Sequence, residues 1–183
     1  MGLFNFIKSV REELKKIENY KKMSVEELRE LSDEELREAL SERLMAEEDN
    51  NEWDVKECVS GFKGAKRVYY IVNYFDMEVQ NGGLCQFFVN SSRDVAPYIL
   101  KCLETIGAVN YEKLLKAFVE ENDIDLNDLD SFIVEEIEEY EAQTQRYPFD
   151  DFDDKYYELY ETESLEDMLL IYAKQHLNDF EEV

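Results

Sequence analysis

Apolar residues recur at steps of three and four along most of the chain, which is the pattern of amphipathic α-helices. The first such stripe spans about residues 3–20 and consists of Leu3, Phe4, Ile7, Val10, Leu14 and Ile17. Ser24–Glu27 and Ser32–Glu35 match the Ser-x-x-Glu capping box, so they predict two helix starts, with the second helix ending near Met45. No segment alternates apolar and polar residues as a half-buried strand does. The pattern predicts an all-α protein.

The same periodicity continues to the end of the chain. It predicts a helix from about Trp53 or Val55 to Val79, with Gly61 and Gly64 as candidate breaks, and helices over about 97–106, 110–119, 128–145, 156–160 and 165–177. Phe132, Ile133, Ile137 and Tyr140 form the expected buried stripe of the helix over 128–145. Residues 123–130 are predicted as a loop, and residues 149–154 as a loop or a single helical turn. We expect one globular domain of about eight helices, with residues 1–22 as an N-terminal amphipathic helix and residues 23–183 as the helical domain.

The stretch from Glu78 to Pro97 interrupts this regular pattern. Gly82 and Gly83 predict a tight turn in which a positive φ is needed. A short apolar segment, residues 84–89, follows, and residues 90–92 can then cap the next helix. The uncharged polar residues here allow a small-ligand pocket or a buried hydrogen-bond network that ties helix ends together. We favour the network, because helix ends and turns require such groups in any case.

The charge of the chain limits the classes of partner that it can bind. The 183 residues include 45 acidic and 20 basic side chains, for a net charge of −25. Residues 120–183 alone hold 23 acidic and 3 basic residues. Such a field repels nucleic acids and anionic membranes, and it attracts basic proteins or cations.

The sequence offers little for catalysis. Its cysteines, Cys58, Cys85 and Cys102, are scattered and odd in number, which is typical of a reduced, cytoplasmic protein. Cys85 and the single histidine, His176, are a conceivable nucleophilic pair, but the sequence specifies no orienting residue for them. Cys85 lies in an apolar run and is expected to pack as a small hydrophobe. We therefore predict a non-enzymatic protein without a cofactor.

One acidic loop partly matches a calcium-binding loop. Asp123, Asp125 and Asn127 occupy positions 1, 3 and 5 of an EF-hand loop. Asp128 then stands where the loop needs glycine, and Val134 stands where it needs a bidentate glutamate. These two failures argue against a calcium site, and no metal is predicted.

The N-terminal helix is basic, unlike the rest of the chain, because Lys8, Arg11, Lys15, Lys16, Lys21 and Lys22 accompany its apolar stripe. Binding to a membrane surface is one interpretation. We favour the other, in which the stripe packs on the domain or on a second protomer, so that a homodimer is compatible with the sequence. No apolar run is long enough for a membrane span, and the N-terminus does not read as a signal peptide.

The central stretch also resembles a known family. The resemblance rests on residues 81–83 (Asn-Gly-Gly), 86–88 (Gln-Phe-Phe), 90–92 (Asn-Ser-Ser), Asp94, Ala96 and residues 106–108 (Ile-Gly-Ala). These residues are similar to a bacterial family whose named representative is a DNA-mimic protein, although Arg93 and Val95 depart from its pattern. The resemblance implies an all-helical fold, no known catalysis and, for at least the named branch of the family, occupation of a partner's DNA-binding surface. It also makes Asn81, Gly82, Gly83, Gln86, Asn90 and Ser91 the structural motif.

The acidic surface is the best candidate for a binding site. DNA carries one negative charge per roughly 1.7 Å of its axis, and Glu135 and Glu139 are expected one helical turn apart, so rows of carboxylates can approximate phosphates. The predicted partner-binding residues are Asp123, Asp125, Asp128, Asp130, Glu135, Glu136, Glu138, Glu139, Asp150, Asp151, Asp153 and Asp154. The expected partner is a basic DNA-binding protein, either a transcription regulator or a nucleoid protein, with no direct binding to nucleic acid or membrane. The alternative is an immunity-type binder of a basic toxin.

Overall fold

A computed structural model describes residues 3–181, apart from the side chains of residues 3–6 and of residue 9. Over this range the chain is all-α, with ten α-helices and three 3-10 turns. The α-helices are α1 (Leu3–Lys22), α2 (Val25–Arg29), α3 (Asp33–Asn50), α4 (Val55–Gly61), α5 (Gly64–Val89), α6 (Ala96–Thr105), α7 (Val109–Glu121), α8 (Ile137–Thr144), α9 (Phe149–Thr162) and α10 (Leu165–Gln175). The 3-10 turns are Ser91–Val95, Asp130–Phe132 and Leu177–Phe180.

The long helix α5 is the centre of the fold. It packs against α6, α9 and α10, and most of its apolar side chains are fully buried. Phe75 lies at the middle of this core, with its ring 5.0 Å from that of Phe87 and 5.9 Å from that of Tyr156. Because α5 is apolar on several sides, it is covered by other helices rather than facing solvent on one side.

A kink divides α5 at the predicted glycine turn. Gly82 has φ −159° and Gly83 has φ +78°, so the positive φ expected at this pair is found at Gly83. Gly83 is buried, and a Cβ atom added there would overlap the carboxylate of Asp153. The backbone N–H of Leu84, the next residue, donates a 2.9 Å hydrogen bond to Asp153 Oδ1. The first N–H groups of a helical segment have no acceptor within that segment. Asp153 accepts one of them at the start of the second half of α5.

Both predicted capping boxes are present. The Ser24 hydroxyl accepts from the N–H of Glu27 while the Glu27 carboxylate accepts from the N–H of Ser24, and Ser32 and Glu35 repeat the arrangement. The helix that begins after Ser32 is longer than predicted, because it continues past Met45 to Asn50. The extra turn buries Glu48, whose carboxylate accepts a 2.9 Å hydrogen bond from the hydroxyl of Tyr70.

The helix predicted over 128–145 is wrong in its first half. Asp130–Phe132 is a 3-10 turn, residues 133–136 are not helical, and α8 begins only at Ile137. Phe132 is buried, but Ile133 and Ile137 are exposed, so the expected buried stripe does not form. A continuous helix would also place like charges at i,i+4 spacing, at Glu135 and Glu139, and at i,i+3 spacing, which disfavours it by a few tenths of a kcal/mol per pair. In contrast, the segment from Phe149, predicted as a loop or turn before a short helix, belongs to one helix, α9.

A buried arginine joins the C-terminal end of α1 to the last 3-10 turn. Arg43 Nε donates to the carbonyl of Tyr20 at 2.9 Å, and its Nη1 donates to the carbonyl of Phe180 at 2.8 Å. A third hydrogen bond joins Arg43 to the carbonyl of Met23. The C-terminal end of α1 and the last 3-10 turn are therefore held on α3. Among the described helices, none combines the length and apolar character needed to cross a membrane.

Candidate partner-binding surface

Buried aromatic rings support the acidic second half of the chain. Phe132, Phe149 and Phe152 come from three points of this half and are all buried. The ring of Phe118 lies 5.4 Å from each of Phe149 and Phe152, and the ring of Phe88 lies 5.0 Å from that of Phe132. Such packed rings bury large areas in fixed orientations. The backbone segments that carry the acidic residues are therefore anchored in one cluster.

The acidic residues lie between these anchors and face solvent. Asp150 and Asp151 stand between buried Phe149 and Phe152, and Asp154 follows them; all three aspartates are exposed. Apart from Asp153, every predicted partner-binding residue is exposed. The structure thus brings the predicted residues of 149–154 and those near 130 onto segments that share one aromatic support.

The loop over residues 123–129 also alternates buried apolar and exposed acidic residues. Ile124, Leu126 and Leu129 are buried, while Asp123 and Asp125 are exposed. The carboxylate of Asp125 accepts hydrogen bonds from the backbone N–H and the side-chain amide of Asn127, at 2.8 and 2.9 Å. Both donors lower the pKa of Asp125, and the backbone N–H has the larger effect. The loop is an Asx turn that holds a charged carboxylate at the surface. Asp128 makes a second turn of the same kind with a longer hydrogen bond, because its carboxylate accepts the N–H of Asp130 at 3.4 Å.

The glutamates around α8 have a different geometry from the predicted one. Glu135 and Glu136 precede the helix, and Glu138 and Glu139 lie in its first turn. The carboxylate of Glu139 accepts the backbone N–H groups of Glu135, at 2.7 Å, and of Glu136, at 3.2 Å. These N–H donors lower the pKa of Glu139. Glu139 therefore stabilises the start of α8, and the expected spacing of Glu135 and Glu139 along a helix does not occur.

Asp153 differs from the other predicted residues. It is half-buried at the α5 kink, and its carboxylate accepts the N–H of Leu84. Burial raises the pKa of Asp153 more than this hydrogen bond lowers it. Its position gives Asp153 an internal role in the fold that the sequence did not indicate.

The polar residues of the central motif form a network, but at the surface rather than in the core. Gln86 Nε2 and Asn90 Nδ2 both donate to Glu78 Oε2, at 2.8 and 3.0 Å. Asn81, Asn90 and Ser91 are exposed, which corrects the expectation of a buried network. The buried hydroxyl is that of Ser92, which donates to the carbonyl of Phe87 at 2.9 Å. These contacts join the two halves of α5 and the turn that follows.

The residues considered for catalysis lie in unrelated surroundings. Cys85 is buried, and burial raises the pKa of its thiol to about 11. His176 is exposed, with its ring 4.6 Å from that of Tyr172. A thiol with so high a pKa is a poor nucleophile at neutral pH. Over the described part of the chain, no cluster of three or more histidine, cysteine or carboxylate side chains has the arrangement of a metal site.

Two buried carboxylates were missed by the sequence analysis. Asp76 accepts a hydrogen bond from the hydroxyl of Tyr156, and Glu48 accepts one from Tyr70. Burial is the main cause of the raised pKa of each carboxyl group. The sequence held a weak signal for Asp76, because it lies between Phe75 and Val79 in a stripe predicted to be buried. Nothing in the sequence indicated the tyrosine partners, which are 80 and 22 residues away.

Comparisons with known proteins give one finding. The model of a protein family described as DMP19-like protein matches residues 60–176, which contain the central motif and all of the predicted partner-binding residues. No curated protein and no solved structure matches the chain. The family match covers more than half of the chain. The chain therefore belongs to the DMP19-like protein family, whose named representative is a DNA-mimic protein.

Proposed function

We propose that this protein is a non-enzymatic interaction protein of the DNA-mimic type, whose acidic surface over residues 123–154 occupies the DNA-binding surface of a basic DNA-binding protein. The partner would be a transcription regulator or a nucleoid protein. Membership of the DMP19-like family supports this role in general terms. The observation that carries the proposal is the alternation of buried phenylalanines and exposed carboxylates on segments that share one aromatic cluster.

This arrangement suits a surface that must present charge in a fixed position. A flexible acidic tail would lose conformational entropy when a partner ordered it. Here the packing of Phe149 and Phe152 already orders the backbone that carries Asp150 and Asp151. A rigid field of carboxylates speeds association with a basic protein and favours partners of complementary charge. The role requires no catalytic group and no metal.

Some predicted contact residues fit the proposal better than others. Asp150, Asp151 and Glu138 are exposed and serve no internal hydrogen bond that the structure describes. Asp153 and Glu139 bind backbone N–H groups of their own chain. We therefore assign direct partner contacts first to the former group, and we assign to Asp153 and Glu139 the support of the surface.

Affinity capture from the cells that produce the protein tests this proposal. The bait would be the full chain, compared with a variant that carries Glu138→Lys, Asp150→Lys and Asp151→Lys. We expect the wild-type bait to retain a basic DNA-binding protein that is released by salt and absent from the variant. Capture of a basic protein without DNA-binding activity would favour the toxin-immunity alternative.

A matched bait controls for net charge. Glu26, Glu30 and Glu34 are exposed acidic residues at the other end of the sequence, and reversing them changes the total charge by the same amount. This control should capture the partner as the wild type does. Equal loss from both variants would indicate a response to net charge alone, and would contradict a localised surface.

A further inference from the structure

The apolar stripe of α1 is largely uncovered. Ile7 is 41% exposed, Val10 is 42% exposed and Leu14 is 60% exposed. The three residues recur at steps of three and four, so they lie on one face of a 20-residue helix. A contiguous apolar face of this kind on an otherwise charged helix is typical of an interaction site. The expectation that this stripe packs on its own domain is not met for these residues.

Among the α1 residues whose side chains the structure describes, those toward the C-terminal end hold the helix on its own chain. Tyr20 is buried, and its carbonyl accepts a hydrogen bond from Arg43. Lys16 Nζ lies 2.6 Å from the carboxylate of Glu38 on α3. These contacts fix the base of α1 on the domain. The exposed stripe lies on the part of the helix that precedes them.

A second uncovered apolar pair lies on the acidic surface. Ile133 is 52% exposed and Ile137 is 77% exposed, and Ile137 begins α8. Glu135, Glu136 and Glu138 stand between and beside them, all exposed. This surface therefore combines apolar contact area with a negative border. A basic amphipathic helix has the complementary chemistry.

The helix α1 is such a helix. Residues 3–22 carry six basic and three acidic side chains, within a chain whose net charge is −25. The stripe of Ile7, Val10 and Leu14 extends over about 11 Å at 1.5 Å per residue. On the acidic surface, Ile137 begins α8 and Ile133 lies four residues before it, outside the helix. The basic α1 and this negative surface are therefore complementary in charge, and each leaves apolar side chains uncovered.

We propose that α1 of one copy of this chain lies on the acidic surface around Ile133 and Ile137 of a second copy. Both surfaces are exposed within one chain, so neither covers the other there. Arg11 and Lys15, which lie beside the stripe, would approach Glu138 and Glu141. Two such contacts, one in each direction, give a closed two-fold dimer.

A second copy fits this stripe better than a membrane does. A chain of net charge −25 is repelled by anionic headgroups, while its own acidic surface attracts the basic α1. This dimer rests on the proposed function only because both use the same acidic surface. Dimer formation needs no DNA-binding partner. The shared surface implies that dimer formation and partner binding compete. Self-association can therefore fail while partner capture succeeds, or the reverse.

Sedimentation velocity on the full chain and two charge-swap variants tests this dimer. One variant carries Arg11→Glu and Lys15→Glu, and the other carries Glu138→Lys and Glu141→Lys. We expect the wild type to dimerise at low salt, and each variant alone to dimerise at least about tenfold more weakly. An equimolar mixture should recover the dimer, because each acidic helix then meets a basic surface and each basic helix an acidic one.

Two further measurements keep this test decisive. A Glu26→Lys, Glu30→Lys control should dimerise as the wild type does, and circular dichroism should give equal helicity for all variants. A monomeric wild type, dimers in both single variants, or a mixture that stays monomeric would overturn the proposal. Co-sedimentation of a monomeric wild type with phosphatidylserine vesicles, lost on Leu14→Glu, would instead assign the stripe to a membrane surface.

Discussion

The carboxylate of Asp153 accepts the backbone N–H of Leu84 at 2.9 Å, across 69 residues of sequence. This contact joins the acidic helix α9 to the kink at Gly83 in the central helix α5. Gly83 has no side chain to block the approach of Asp153, and its φ of +78° turns the next N–H toward that carboxylate. The glycine motif and the placement of the acidic surface are therefore physically linked.

Replacing Gly83 with valine should destabilise the protein. A β-branched residue is strained at φ +78°, and its Cβ would overlap the carboxylate of Asp153. Backbone strain alone should lower the free energy of unfolding by about 1–3 kcal/mol, and the overlap with Asp153 should add to this loss. Urea denaturation followed by circular dichroism measures this change.

A glycine-to-alanine change at Gly61 is the matched control. Gly61 ends α4, and a Cβ atom added there would have no heavy atom within 4 Å. We expect Gly61→Ala to leave stability unchanged or to raise it by up to about 1 kcal/mol. Equal midpoints for Gly83→Val and the wild type would show that the kink does not need glycine.

The Asp76→Asn variant should gain stability over the wild type as pH rises. Burial raises the pKa of Asp76 above its ordinary value of 3.8, so the folded protein holds this proton more tightly than the unfolded chain does. Stability that is present below pH 3.8 is therefore lost as pH rises through the raised pKa. Asparagine can still accept from Tyr156 without that cost. Thermal melts of both proteins between pH 3.5 and 8, roughly the window of carboxyl titration, measure the difference.

The Glu139→Gln variant should show the opposite sign. Backbone N–H donors lower the pKa of Glu139 below its ordinary value of 4.5, so the charged form is favoured in the folded state. Its contribution is present above pH 4.5 and is lost as pH falls through the lowered pKa. The deficit of Glu139→Gln should therefore appear at neutral pH and vanish in acid. If the stability difference from the wild type changed with pH in the same direction for both variants, the opposite pKa shifts of Asp76 and Glu139 would be contradicted.

Removing the Arg43 side chain should loosen the attachment of α1 and of the last 3-10 turn. Arg43→Met leaves the buried carbonyls of Tyr20 and Phe180 without this donor, and we expect a loss of at least about 2 kcal/mol. The control is Arg29→Met, because exposed Arg29 donates a 3.1 Å hydrogen bond to Asn178 and should cost less than about 1 kcal/mol. Limited proteolysis should cut α1 faster in the Arg43 variant alone. Equal rates of cutting in the two variants would show that the hydrogen bonds of Arg43 do not hold α1 on the domain.

Local sequence signals predicted most of the helical fold. The capping boxes at Ser24 and Ser32 and the positive φ at Gly83 are present, because each depends on residues close together in sequence. The helix over 128–145 was misjudged, because spacing alone did not reveal whether Ile133 and Ile137 meet a core. In the folded chain Phe132 occupies the aromatic cluster, and both isoleucines face solvent.

The internal roles of acidic residues were beyond sequence reasoning. Asp153, Asp76 and Glu48 resemble their exposed neighbours in the sequence, yet each binds a group on a distant element. Long-range contacts of this kind depend on how helices pack, and no local pattern encodes them. The exposed residues of the surface followed more simply from charge, since carboxylates remain in water unless a partner pairs with them.

Competition with duplex DNA tests whether the acidic surface takes the place of DNA on the partner. The captured basic partner would be titrated with this protein in the presence and absence of its DNA, at low and high salt. We predict mutually exclusive binding that weakens steeply with salt. Affinity should fall strongly for the Glu138, Asp150 and Asp151 reversal but not for the Glu26, Glu30 and Glu34 control. A ternary complex in which the partner holds DNA and this protein together would contradict the claim that the acidic surface takes the place of DNA.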